Sequence, residues 1–259
     1  MQEPVRQASR LEPPLDTQRS LDEARQALAE ALRARTIPLP PLPAPAAAGR
    51  PEIWSAALSL LGALLSVPAA AALLVPALRA GSVVHGLSFA VYGFGLIAMF
   101  LASALFHSRA GEERTWLKNL DYCAIALMIA GTFTPICAIA LGGPLGWALL
   151  AGLWLLASAA IGLRLSRPGL PKWAFISFFL AMGWLGGLTV LPGAAVLGWG
   201  GMGLILLGGA FYSAGTVIFN RNEDDVEPPG FGPHEVWHLF ILAGAASHYL
   251  AIILYLTPR

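Results

Sequence analysis

His234 and His238 stand four residues apart at the mouth of the last apolar run, in the stretch Pro233-His234-Glu235-Val236-Trp237-His238. On a helix that spacing sets both imidazoles on one face, one turn from each other. Two imidazoles so placed can share a zinc ion at roughly 2.0–2.1 Å. Pro233 suits the first turn of such a helix, where a missing N–H costs nothing. His107 ends an earlier apolar run, and Asp121 lies in the first turns of the next. Three imidazoles with a position left open for water form the ligand set of a catalytic zinc, which brings the pKa of that water toward about 7. Asp121 can hold or deprotonate the water. Ser103, one turn before His107 on the same face, offers a hydroxyl for the water or for a substrate carbonyl. The expected metal ligands are therefore His107, His234 and His238, with Asp121 and Ser103 as the catalytic groups. A histidine-rich site with a carboxylate also suits divalent ions other than zinc.

Two neighbours are set aside on geometry. Glu235 completes a His-Glu-x-x-His string, in which the glutamate of zinc peptidases is the general base. Being adjacent to His234 it points about 100° away from it on a helix, so Asp121 is the better base. His248 lies fourteen residues beyond His234, about 21 Å deeper. It falls outside the same metal shell and reads as a polar contact in the interior.

These residues must be positioned by a membrane protein. Of 259 residues, 56% are hydrophobic and 12% charged, against about 25% charged in a soluble domain. A net charge of +1 offers no basic surface for nucleic acid. Seven runs approach the ~20 residues that a spanning helix needs, at about 53–78, 83–107, 117–141, 144–164, 173–191, 196–219 and 234–256. The break at Gly142-Gly143-Pro144 is tight, so the third and fourth spans should be antiparallel neighbours. Lys and Arg collect in alternate loops (Arg109, Arg114, Lys118; Arg164, Arg167, Lys172; Arg221) and in the tail. That asymmetry predicts the N-terminus in the cytoplasm and the C-terminus outside. It also brings His107, Asp121, His234 and His238 to one depth, near the cytoplasmic face. Ionisable residues inside spans are costly and mark function, and three helices distant in sequence place theirs together here.

The fold expected is an all-α, seven-helix membrane domain over residues 52–259, behind a disordered, proline-rich tail over 1–51. Within the tail, Ser20-Leu21-Asp22-Glu23 reads as a capping box that opens a short amphipathic helix over 20–35. Residues 36–51 read as an extended linker. Cys123 and Cys137 are fourteen residues apart in one span, about 21 Å and too far for a disulfide.

Several strings together resemble a known family. They are Ser103-Ala104-Leu105-Phe106-His107, Leu120-Asp121-Tyr122, Ala130-Gly131-Thr132-Phe133-Thr134-Pro135 and His234-Glu235-Val236-Trp237-His238-Leu239-Phe240, followed by His248. In order and spacing, across residues 52–256, they are similar to the bacterial hemolysin III family, which belongs with the progestin and adipoQ receptors (PAQR). The resemblance implies a seven-helix bundle in the bacterial cytoplasmic membrane, N-terminus inside. It implies zinc on His107, His234 and His238, with Ser103 and Asp121 beside it. The similar alkaline ceramidases imply hydrolysis of a membrane-lipid amide, in the service of lipid homeostasis. The rival expectations are a non-enzymatic membrane regulator or receptor with structural zinc, and a pore-forming cytolysin. The second is disfavoured because spans one, four, five and six are almost purely apolar. One departure is plain. Where bacterial members commonly carry Asn-x-x-x-His in span one, this chain has Ser55-Ala56-Ala57-Leu58-Ser59, without the histidine, so a role implied by that pattern does not carry over to this end of span one, while the zinc site is unaffected.

Overall fold

The computed structural model describes residues 15–34, 52–111, 113–189, 191–221 and 231–258. The linker expected at 36–51 and the loop around Pro228-Pro229-Gly230 lie outside the described residues. The chain divides into two units, residues 1–47 and 48–259.

The first unit contributes α1 (Leu15–Ala34). It starts five residues earlier than the capping box predicts, so Ser20 is a helix-interior residue and not the cap. Exposed pairs Arg19–Glu23 (3.5 Å) and Asp22–Arg25 (3.8 Å) bridge successive turns.

The described residues of the second unit form a bundle of seven helices: α2 (Ile53–Arg79), α3 (Val83–Ser108), α4 (Glu113–Pro135), α5 (Gly143–Ser166), α6 (Lys172–Gly187), α7 (Ala194–Arg221) and α8 (Pro233–Tyr255). Six of these are long and apolar enough to cross a membrane. The exception is α6. The apolar run to Leu191 suggests a full span, but the helix ends at Gly187, where turns begin and the Thr189 hydroxyl donates to the Gly186 carbonyl at 2.6 Å. Sixteen residues reach about 24 Å, short of a hydrocarbon core of about 30 Å.

Neighbours pack in a closed ring, with α2 against α3 and α8, α4 against α3, α5 and α6, and α7 against α6 and α8. The fourth helix is not uniform. Pro135 cannot donate to the i→i−4 ladder, and Ile136–Leu141 continue as a π-helical turn that ends at Gly142. Gly142 and Gly143 both take positive φ (59° and 58°), which glycine adopts without a Cβ penalty. This tight reversal makes α4 and α5 the antiparallel neighbours expected. Cys123 and Cys137 are free.

The face of α2 that meets its neighbours is built mostly of small residues, with large ones outside. On α2 the buried positions are Ser55, Ser59, Gly62, Ala63, Ser66, Ala70, Leu73 and Ala77, a stripe at helical spacing. Leu60, Leu61, Leu64 and Leu65 lie on the exposed side. In lipid, leucine gains little by leaving the hydrocarbon, and small residues let helices approach closely. Gly62 shows how closely: a Cβ there would lie 2.4 Å from the Phe100 ring on α3. With α2 seated this way, its N-terminus meets the last turn of α3 and the first turn of α8.

Candidate metal centre

Three imidazoles converge at that end of the bundle. His107 lies in the last turn of α3, and His234 and His238 lie in the first two turns of α8, behind Pro233 in the opening turn. Ring centroids are 4.9 Å apart for His107–His234, 4.8 Å for His107–His238 and 5.1 Å for His234–His238. One ring nitrogen from each lies within 4.8 Å of the others. Imidazoles bound tetrahedrally at roughly 2.0–2.1 Å place their centroids roughly 5 Å apart, so the triad fits a single ion with little rearrangement. His238 Nε2 is buried and has no hydrogen-bond partner among the described residues, and bound metal would satisfy it. The triad can hold a metal ion, as the sequence led us to expect.

The partners around the triad come largely from α2 and the turn before it. His107 Nδ1 donates to Glu52 Oε2 at 2.5 Å. The Glu52 backbone N–H donates to the His107 carbonyl at 2.9 Å, and Arg114 Nη2 donates to Glu52 Oε1. His234 Nε2 stands 3.7 Å from Glu52 Oε2. Burial pushes the Glu52 carboxyl up, but the His107 hydrogen bond and the charges of His107, His234 and Arg114 outweigh it and hold the pKa at about 2. One turn further on, Ser55 Oγ donates to Glu235 Oε1 at 3.0 Å. One more turn on, Ser59 Oγ lies 3.3 Å from His238 Nδ1 and 3.0 Å from Ser103 Oγ.

The loss of the Asn-x-x-x-His pattern therefore does not empty this end of α2. Ser55 and Ser59, to which the sequence assigned no role, sit against the site. Glu52, just before the span, was missed outright. The inward stripe of serine and glycine at 55, 59, 62 and 66 in a leucine-rich run was the available signal, since it marks the face that meets other helices.

Ser103 is buried and bonds across to Ser59, whereas Ser66, Ser158, Ser166, Ser213 and Ser247 donate to the carbonyl four residues back. Asp121, half-buried on α4, and Ser103 line the same cavity as the three histidines. That cavity measures about 450 Å³ and runs inward between α3, α4, α6, α7 and α8, within the roughly 300–1,000 Å³ of small-molecule sites. Its wall is mostly apolar beyond the histidine end. Glu235 is turned away from the metal position, as its place beside His234 requires, and its second oxygen accepts the Gly232 N–H at 2.8 Å. His248, deep in α8, is tied through Nε2 to the Ile205 carbonyl at 3.0 Å. It is the interior polar contact expected, not a fourth ligand.

The family described as "Haemolysin-III related" matches this chain over residues 51–249. The chain is 35% identical over 208 residues to "Hemolysin-3" of Bacillus cereus, covering 80% of this chain and 92% of that protein. It is 33% identical over 207 residues to the "Hemolysin-3 homolog" of Bacillus subtilis (strain 168), covering 79% and 93%. It is also similar to "Heptahelical transmembrane protein ADIPOR2" of Oryza sativa subsp. japonica, at 30% identity over 169 residues, 59% of this chain and 72% of that one.

Proposed function

This chain belongs to the haemolysin-III-related family, within the PAQR superfamily, and from that premise we propose that it is a zinc-dependent hydrolase of lipid amides in the membrane it spans. The observation that carries the reading is the convergence of three imidazoles on one end of a mostly apolar cavity whose wall also bears Ser103 and Asp121. His107, His234 and His238 would hold the ion. When bound, zinc lowers the pKa of water and polarises a carbonyl.

The remaining work falls to the chain itself. The acyl chain of a lipid amide fits the apolar length of the cavity, with its amide at the histidine end. It enters sideways between α6 and α7, where Trp184 and Leu206 line the cavity and are also exposed on the outer surface. Ser103 donates a hydrogen bond to the amide oxygen. Asp121 takes a proton from the attacking water and delivers it to the nitrogen as the C–N bond breaks. The oxygen of water ends on the acyl carbon, and a fatty acid and an amine leave. A purified, zinc-replete protein inert on a broad panel of lipid amides would defeat the hydrolase reading and leave the ion as a clasp between α3 and α8.

The hydrolase reading puts no proton on Glu235. Its carboxylate caps α8 and receives Ser55. Glu235→Gln is expected to keep its metal and retain activity within about tenfold, whereas a zinc-peptidase role for Glu235 demands near-complete loss. The Lys and Arg of the flanking loops support a site at the cytoplasmic face. A reporter fused after Tyr255 that is active only outside the cytoplasm should therefore be active, and one fused before Ile53 silent.

A further inference from the structure

A neutral imidazole carries one N–H and one lone pair, and a metal takes the lone pair. The atom bonded to the other nitrogen therefore decides which nitrogen faces the ion. Two of the three histidines have that atom on or next to α2. Glu52 Oε2 receives His107 Nδ1 at 2.5 Å. Ser59 Oγ stands 3.3 Å from His238 Nδ1, and His238 Nε2 is the buried nitrogen without a partner among the described residues. The two contacts agree, since each occupies Nδ1 and leaves Nε2 to the centre. Arg114 holds the other oxygen of Glu52, and the Glu52 N–H is bonded to the His107 carbonyl, so Glu52 is held through both its side chain and its backbone.

We propose that Glu52 and Ser59 are positioning residues of the metal centre, selecting Nε2 of His107 and of His238 as the donor atoms, and that Ser59 thereby turns the Ser103 hydroxyl toward the cavity. The last step follows from counting protons. If Ser59 accepts the His238 Nδ1–H, its own single proton is free for Ser103 Oγ at 3.0 Å. Ser103 is then an acceptor toward Ser59, and its proton is left for an oxygen in the cavity it lines. That is the donor the hydrolase reading requires. The inference rests on that reading only as far as a metal on the triad.

The test is zinc affinity by chelator competition, with the absorption spectrum of the cobalt-loaded protein, for wild type, Glu52→Gln and Ser59→Ala. Loss of an outer partner of a metal-bound histidine costs roughly 10–100-fold in affinity. That fall is expected for Glu52→Gln, with a smaller one, under about tenfold, for Ser59→Ala. The cobalt bands should shift in both, which a purely structural role would not cause. Ser59→Ala removes one oxygen from a helix face and keeps the test open if Glu52→Gln does not fold. Wild-type affinity and an unshifted spectrum in both variants would overturn the proposal while leaving the metal centre standing. Failure of wild type to bind zinc or cobalt would instead overturn the metal reading and this inference with it.

Discussion

Purified wild-type protein is expected to carry one zinc per chain, and His107→Ala and His234→Ala are each expected to carry none. The magnitude follows from ligand number. A structural zinc with four ligands binds with about 10–16 kcal/mol, so one ligand accounts for roughly 2.5–4 kcal/mol, or a loss of affinity on the order of 10²–10³-fold. Elemental analysis after dialysis against a weak chelator reads this directly. The informative feature is that the two residues lie on α3 and α8, more than 120 positions apart in the chain. Equal loss in both variants means that the two helices share one ion. His248→Ala is the control. Its Nε2 is committed to the Ile205 carbonyl, and it lies ten residues, about 15 Å, further along α8 than His238. It should keep its metal. Zinc retained by His107→Ala would remove the basis of the site.

Asp121→Asn is expected to lower lipid-amide hydrolysis by about 10²–10⁴-fold, the usual range for loss of a general acid–base group, with zinc content unchanged. Asparagine keeps the shape of the side chain but cannot accept the proton of water or return it to the leaving amine. Asp121 stands on α4, outside the histidine triad yet on the wall of the same cavity. Metal content and turnover should therefore separate in this variant, whereas they fall together in His107→Ala. Parallel loss of zinc and activity would make Asp121 a ligand; full activity would leave the proton transfer to another group.

The sequence alone determined the seven apolar segments, the pairing of His234 with His238, and the common depth of His107 and Asp121. Each is a local property. A bilayer forces backbone groups to bond within a helix, so hydropathy marks the spans, and helical periodicity then assigns faces and depths without knowledge of neighbours. Tertiary structure decided the rest. Hydropathy does not say which helices touch, because leucine facing lipid and leucine facing protein differ little in energy. The seating of α2 on α3 and α8 depends on the stripe from Ser55 to Ala77 meeting side chains such as Phe100. Only that contact brings Glu52 to His107 and Ser59 to His238. Outer partners of a metal site are common residue types with no required spacing to the ligands, because they act through space from another element. Ser55 and Ser59 therefore read as a lost motif along the chain. In the bundle they lie beside the two polar residues of α8, Glu235 and His238, that need them.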